Sequence, residues 1–285
     1  MAGRTLSIHG DHVTAIIDHG TTRDGLVQLR RRWQPAATPR AAVLLLHGIA
    51  EHSGRYEEVG NQLAEAGMAV VGIDHRGYGE TGGRRGHVDN WAQFLDDVQD
   101  QLAEVRTMDL PTIMIGHSMG GLMALSYCVD DRPLPDILVL SGPALGTDTS
   151  PFLRMIAPIL GRLVPHMLIK DDGDPSVLST DPSVGEKFYA DPLRVPYPTA
   201  SLGRALLGAI DSARARVDRL SIPTLVMHGG DDLLVPTESS EILEGLPDVK
   251  RIVYPGLRHE IFNEPTGPEV LAEAIDWIDD QLANL

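Results

Sequence analysis

A serine flanked by two glycines near the middle of the chain has the spacing of an enzyme nucleophile. Ser118 stands between Gly116 and Gly120, and the apolar run 113–115 leads directly into this Gly-x-Ser-x-Gly turn. Such a turn holds the serine on a tight corner between a strand and a helix, where its hydroxyl is exposed and the glycines let the two arms approach closely. Because the helix-like run 122–128 follows, the context predicts Ser118 as the nucleophile of a hydrolase.

A histidine and an aspartate late in the chain are placed to complete a catalytic triad. A serine hydroxyl becomes nucleophilic when a histidine takes its proton and a carboxylate orients that histidine. The run 254–258 reads as a strand end and a Pro-Gly turn that deliver His259 to the edge of a sheet, so His259 is the predicted base. The acid is expected after the preceding strand, where spacing favours Asp232 and leaves the adjacent Asp231 as the alternative.

Hydrolysis at a carbonyl also needs N–H donors for the oxygen that becomes negatively charged. One donor is expected from the backbone of Met119, directly after the nucleophile. The other is expected from the loop after a buried strand that ends at Leu46, where His47-Gly48-Ile49-Ala50 supplies a glycine-containing turn. We predict the Ile49 N–H as the second donor.

The elements that must position these residues alternate between strands and helices. Parallel strands buried on both faces appear as nearly continuous apolar runs, and alternation with helices indicates a mostly parallel sheet covered on both sides. The sequence therefore predicts an α/β fold with eight strands. Seven are predicted at 13–17, 26–30, 41–46, 69–73, 137–140, 224–227 and 249–254, and the eighth runs into Ser118; helices are predicted at 56–66, 91–105, 122–128 and 268–282.

This alternation stops between residues 142 and 220. The segment is rich in Pro, Gly and Asp and holds short helical pieces at 152–163 and 201–210. We predict that it is a cap inserted over the carboxyl edge of the sheet, where substrate pockets of α/β proteins lie. The core would then comprise 1–141 and 221–285. The apolar run 151–160 predicts contact with lipid, and packing against the core is the alternative.

Composition limits the partners and the location of the protein. Asp and Glu number 40 against 24 Lys and Arg, and the resulting net charge of −16 disfavours nucleic acid as a partner. Gly77-Tyr78-Gly79-Glu80-Thr81-Gly82 matches a dinucleotide pattern, but more loop follows it instead of a helix. No transmembrane run and no secretory segment is evident, so a cytoplasmic protein is expected. The sequence implies neither a metal nor an organic cofactor.

Three segments together resemble one enzyme family. They are HGIAEHSGRY at 47–56, DHRGYG at 74–79 and GHSMGG at 116–121, and the chain is similar to the monoacylglycerol lipases of the α/β-hydrolase superfamily, in the bacterial form. The similarity extends to 189–193 in the cap and to 254–260. It implies an α/β-hydrolase fold and cleavage of monoacylglycerols to fatty acid and glycerol through an acyl-enzyme. It also implies a cap that forms an acyl tunnel and contacts a membrane surface transiently. The protein would then associate with the membrane peripherally.

Carried over by position, the resemblance assigns roles to individual residues. It implies a triad of Ser118, Asp232 and His259 and an oxyanion hole formed by Ile49 and Met119. It places three further residues near the polar end that binds glycerol: Glu51, Arg55 and Tyr189.

Two departures from the family pattern leave the substrate open. Ala50 follows Ile49 where a glycine is usual, and Phe262 stands where animal relatives have a histidine near the glycerol. The alternative function is a broader carboxylesterase or lysophospholipase acting on other single-acyl esters, phthalate monoesters among them. A different class is a catalytically silent binding protein with the same fold, which the complete triad disfavours.

Overall fold

The computed structural model describes residues 15–147, 150–170 and 173–285, with the backbone alone for 151–153. Its strands are β1 (Ile16–Thr21), β2 (Val27–Trp33), β3 (Ala41–Leu46), β4 (Met68–Ile73), β5 (Thr112–His117), β6 (Ile137–Ser141), β7 (Thr224–Gly229) and β8 (Val249–Tyr254). Its α-helices are α1 (Glu57–Glu65), α2 (Ala92–Arg106), α3 (Met119–Cys128), α4 (Pro151–Leu163), α5 (Pro182–Ala190), α6 (Ala200–Arg214) and α7 (Gly267–Leu282).

The strands form one eight-stranded sheet in the order β1-β2-β4-β3-β5-β6-β7-β8. β1 pairs antiparallel with β2, and β2 pairs antiparallel with β4. From β4 onward every neighbouring pair is parallel. The predicted fold, a mostly parallel eight-stranded sheet with helices, is confirmed. Of the predicted first strand, residues 13 and 14 lie outside the described residues, and β1 begins at Ile16.

Helices cover both faces of the sheet because successive side chains of a buried strand point to opposite sides. In β3, Ala42, Leu44 and Leu46 pack with α2 and α3, and the intervening residues pack with α1 and α7. All six positions of β3 are buried. This two-sided burial explains why the strand reads as an uninterrupted apolar run in the sequence.

The segment between β6 and β7 lies over the carboxyl edge of the sheet and contains α4, α5 and α6. We call residues 142–220 the cap; its boundaries stay a prediction. In its described part the only ladder contact is an isolated bridge between Leu168 and Thr199. The sequence analysis did not predict α5, and α6 extends to Arg214, beyond the predicted end at residue 210. Among the described residues, no helix combines the length and hydropathy required to cross a bilayer.

Candidate active site

Ser118 lies on the turn between β5 and α3 in a backbone conformation that side chains rarely adopt. Its φ is 52° and its ψ is −115°. A Cβ at Gly116 would lie 2.4 Å from the carbonyl oxygen of Gly120, and a Cβ at Gly120 would lie 2.3 Å from that of Leu46. Neither position has room for a methyl group. The two glycines therefore allow the close approach that holds the serine in this strained position.

His259 and Asp232 meet at the carboxyl edge of the sheet. His259 Nδ1–H donates a hydrogen bond of 2.7 Å to Asp232 Oδ2. A histidine that donates from Nδ1 has its Nε2 lone pair free to accept a proton, which is the tautomer that a general base requires. The side chain of Asp231 is exposed, and its backbone N–H donates to Leu257 O at 2.9 Å. The structure thus pairs the histidine with Asp232 and directs Asp231 to solvent.

Asp232 is held by more hydrogen bonds than the triad alone supplies. Its Oδ1 accepts from the backbone N–H groups of Leu234 and Val235, both at 2.9 Å, and its Oδ2 also accepts from His228 Nε2–H at 3.1 Å. Burial raises the pKa of Asp232, but the bonds from His228 and His259 outweigh it, and the pKa lies well below its usual 3.8. The sequence analysis missed His228, whose position at the end of β7, four residues before the acid, is a signal that could have identified it.

A cavity of about 220 Å³ lies between this edge of the sheet and the cap. Its lining includes Ser118 and His259 from the core. Of the residues predicted to bind substrate or the oxyanion, Ile49, Glu51 and Tyr189 also line it. Met119 is the first residue of α3, and the first N–H groups of a helix have no acceptor within it.

The loop that carries Ile49 contains one strained residue and is held at its start by hydrogen bonds between two histidines. Ala50, at the position where glycine is usual, has a φ of 69°, a left-handed conformation that is costly for a residue with a Cβ. The backbone N–H of His75 donates to His47 Nε2 at 3.0 Å, and His75 Nε2–H donates to the carbonyl of His47 at 2.9 Å. Burial lowers the pKa of both histidines, so they remain neutral and fix the start of the loop.

Arg55 lies behind the cavity between two buried carboxylates. Its Nη1–H and Nη2–H donate to Oε1 and Oε2 of Glu260, each at 2.8 Å, and Nη1–H also donates to Oε2 of Glu51. Glu51 Oε1 accepts from the backbone N–H of Gly48 and, at 2.7 Å, from the hydroxyl of Tyr56. Glu51 and Glu260 line the cavity, whereas Arg55 borders a separate groove. The sequence analysis missed Glu260, although it directly follows the predicted base.

One carboxylate joins the cap to the segment that carries the base. Buried Glu264 accepts from Ser179 Oγ–H at 2.9 Å and from the backbone N–H of Thr180 at 2.8 Å. Its other oxygen accepts from the backbone N–H of Arg258, the residue before His259, at 2.6 Å. These bonds hold the cap segment that precedes α5 in a fixed position relative to the base His259.

Among the described residues, no group of three or more His, Cys, Asp or Glu side chains is arranged to hold a metal ion. A sheet of this order, with a serine on the turn after a central parallel strand and an acid and a histidine after later strands, defines the α/β-hydrolase class of enzymes. A family model described as "Serine aminopeptidase, S33" matches residues 37–266.

Comparison with individual proteins narrows this class. The chain is 38% identical over 258 residues to a monoacylglycerol lipase of Mycolicibacterium smegmatis, covering 86% of this chain and 90% of that one. It is 32% identical over 251 residues to a phospholipase of Bacillus subtilis, covering 86% and 97%. A crystal structure of the Paleococcus ferrophilus monoacylglycerol lipase superposes with a TM-score of 0.81 at 28% identity, covering 88% and 98%. The chain belongs to the monoacylglycerol lipase family of ester hydrolases.

Proposed function

We propose that this enzyme hydrolyses monoacylglycerols to a fatty acid and glycerol through an acyl-enzyme. The observation that carries the proposal is that Ser118 and His259, which is hydrogen-bonded to Asp232, border one cavity that the buried carboxylates Glu51 and Glu260 also line. The identity of 38% to a monoacylglycerol lipase over most of the chain supports the same substrate. A serine without a neighbouring base would not support it, because the hydroxyl is a weak nucleophile by itself.

The first half of the proposed reaction forms the acyl-enzyme. Ser118 Oγ attacks the carbonyl carbon of the ester while His259 Nε2 takes the hydroxyl proton, and Asp232 stabilises the imidazolium. The backbone N–H groups of Ile49 and Met119 donate to the oxyanion. When the tetrahedral intermediate collapses, the bond to the glycerol oxygen breaks, and His259 gives its proton to that oxygen.

The second half of the proposed reaction releases the fatty acid. Water enters after glycerol has left, and His259 Nε2 takes one of its protons as the oxygen attacks the acyl carbon. The second tetrahedral intermediate expels Ser118 Oγ, which regains its proton from His259. The triad is thereby restored. In each half of the reaction His259 first accepts a proton as a base and then returns it as an acid.

At the polar end we assign Glu51 and Tyr189 to direct contact with the glycerol. Both residues line the cavity, and a carboxylate accepts hydrogen bonds from alcohol hydroxyls. Arg55, which the resemblance grouped with them, acts in this proposal as a positioning residue, because its guanidinium holds Glu51 from outside the cavity lining.

The outer face of α4 supports transient contact with a membrane surface. Met155, Ile159 and Leu163 are spaced four residues apart, so they form one stripe on the helix, and they are 64%, 55% and 76% exposed. Phe152, which belongs to the run predicted to contact lipid, has a side chain outside the described residues. An exposed apolar stripe on the cap, other parts of which line the cavity, would allow lipid substrate to enter from an interface.

Release of fatty acid from monoolein, diolein and lysophosphatidylcholine tests the proposal, with the Ser118→Ala variant as the blank. We expect monoolein to be strongly preferred. Weak activity on all three lipids, together with rapid cleavage of short synthetic esters, would assign the enzyme to the broader carboxylesterases. Preference for lysophosphatidylcholine would favour the lysophospholipase alternative, in line with the similarity to the Bacillus subtilis phospholipase.

A further inference from the structure

We infer that Glu260 is a specificity-determining residue which, together with Glu51, makes the polar end of the cavity reject anionic leaving groups. The enzyme would then select esters of neutral polyols over esters of alcohols that carry a phosphate or a carboxylate. The inference rests on the proposed function, because it concerns the leaving group of the same reaction.

The buried charges at the polar end of the cavity do not cancel one another. The guanidinium of Arg55 is shared between Glu51 and Glu260. Burial lowers the pKa of Arg55, but the two carboxylates outweigh it and raise the pKa well above its usual value, so this residue stays cationic. One cation between two anions leaves this group of side chains with a net negative charge. The guanidinium carbon of Arg194 lies 4.9 Å from the ring centre of Phe188 and 4.3 Å from that of Tyr189. Arg194 is not among the described residues that line the cavity.

Both carboxylates are buried. Glu51 and Glu260 are only 3% and 5% exposed, and both nevertheless border the cavity that contains Ser118. Little water is therefore available to screen their charge from a bound leaving group. The attraction or repulsion between buried charges is much stronger than between charges in solvent.

The hydrogen-bonding chemistry of the two carboxylates also favours a neutral leaving group. Ionised carboxylates only accept hydrogen bonds. Glycerol offers hydroxyl donors, which can bond to lone pairs that Arg55, Gly48, Tyr56 and Asn263 leave open. A phosphate at the same place brings negative charge and acceptor oxygens, so it meets repulsion from both carboxylates, which have no hydrogen to donate to it. The polar end is thus complementary to a neutral polyol and unfavourable to an anion.

Glu260 is the part of this arrangement that can be changed with least disturbance to the reacting atoms. Glu51 also accepts from Gly48 in the loop that carries the oxyanion donor. Glu260 instead bonds to Arg55 and to the side-chain amide of Asn263, at 2.8 Å. A Glu260→Gln substitution removes one negative charge and keeps a carbonyl that Arg55 can bond to.

The test compares a medium-chain 1-acylglycerol with the matching 1-acylglycerol phosphate. The kcat/KM ratio of the two substrates is measured for the native enzyme and for Glu260→Gln, Glu260→Asp and Asp231→Asn. We expect the native enzyme to favour the neutral ester strongly and Glu260→Gln to reduce this preference by roughly tenfold or more, because one of the two buried negative charges at the polar end is removed. Glu260→Asp keeps the charge and should keep the preference. Asp231→Asn removes a charge from the same edge of the sheet, but in solvent, and should also keep it.

Ionic strength separates this local effect from the charge of the whole protein. The net charge of −16 repels anions at long range as well. At about 0.5 M salt that long-range repulsion is largely screened, whereas a buried pair is screened much less. The preference should therefore persist at high salt. Its disappearance there, or an unchanged ratio in Glu260→Gln, overturns the inference.

Binding measurements keep the inference testable if Glu260→Gln proves inactive. In a Ser118→Ala background, calorimetric titration with an alkylglycerol and the matching alkylglycerol phosphate, both ether-linked, gives the affinity ratio without turnover. The same roughly tenfold change on Glu260→Gln is expected; equal ratios contradict it. Charge-selective binding without monoacylglycerol hydrolysis by the native enzyme would reject the proposed function and leave the charge selection standing.

Discussion

The carboxyl edge of the sheet and the cap face each other across one cavity, yet they are built differently. The sheet edge holds its groups on strained turns and in buried hydrogen bonds, as at Ser118 and Asp232. Part of the cap, the region around α4, presents apolar side chains to the outside. The difference indicates that the sheet edge fixes the chemistry, where geometry must be exact to a fraction of an ångström, and that the cap governs how substrate arrives.

The cap itself is not uniform. Its region around α5 is tied to the core by side chains: Glu264 bonds to Ser179 and Thr180, and His52 bonds to Asp191 at 2.9 Å. The region around α4 packs mainly on α6. We interpret the α5 region as a fixed wall of the cavity and the α4 region as the part that meets the surroundings.

The largest expected effect comes from the nucleophile and tests whether the chemistry resides at the sheet edge alone. Ser118→Ala should lower kcat by about 10⁶-fold, as triad deletions do in other serine hydrolases. The unfolding midpoint in urea should not fall. Comparable turnover of a short-chain ester by this variant would reject the assignment of Ser118.

The acid ranks next, and its neighbour provides a matched control. Asp232→Asn should lower kcat by about 10⁴-fold, since an amide favours the wrong tautomer of His259. Asp231→Asn, a substitution of the same chemistry one residue away and in solvent, should retain most of the activity. If Asp231→Asn proves the more damaging variant in steady-state assays, the acid has been misplaced by one residue.

The attachment of the α5 region is expected to contribute to stability more than to rate. Glu264→Gln leaves the four donors around this carboxylate imperfectly paired and should lower the free energy of unfolding by about 1–3 kcal/mol. Glu273→Gln is the control, because Glu273 makes an exposed bond to Tyr254 and should cost less than about 0.5 kcal/mol. Urea denaturation measures both, and equal losses would contradict the view of the α5 region as a fixed wall.

The smallest effect is expected at α4 and appears only at an interface. Ile159→Asp should weaken binding to phospholipid vesicles without anionic lipid by roughly fivefold to tenfold, since one apolar side chain that would be partly buried in the lipid is lost. Hydrolysis of a dissolved short-chain ester should be unchanged. Ile16→Asp is the control, because Ile16 is 54% exposed, against 55% for Ile159, but lies on β1. Vesicle cosedimentation that responds equally to both variants argues against a specific membrane face on the cap.

Residues whose roles follow from local pattern were predictable from the sequence, and residues with distant partners were not. β3 and β8 have the predicted bounds, because each is an apolar or alternating run that ends at a turn. The strand-end positions of Ser118, Asp232 and His259 likewise leave a local pattern. Glu264 bonds to Thr180 and Ser179, which are 84 and 85 positions away in the chain. Glu260 bonds to Arg55, which is 205 positions away. Such separations have no periodicity that a single sequence can show.

The helix α5 was missed for a related reason. It has nine residues, and the buried ones are Gly185 and Phe188, which is too little for a clear amphipathic pattern. The start of α5 has a clearer sequence signal than its buried face. Asp181 caps the N-terminus by accepting from Ser183 N–H at 2.9 Å, and Pro182 follows directly. Phe188 of α5 packs in a small separate cluster with Ala50 and Leu178, so the position of α5 depends on contacts that no local pattern shows.

The double attachment of Glu264 has a consequence for chimeras between related enzymes. Because this one side chain bonds both to residues 179–180 and to Arg258 beside the base, the segment around 179–180 and the stretch 258–264 should be exchanged together. Grafting either stretch alone from a relative would leave Glu264 or its donors mismatched. The outer face of α4, a helix that packs mainly on α6, makes none of these bonds, so it can be redesigned independently of the base.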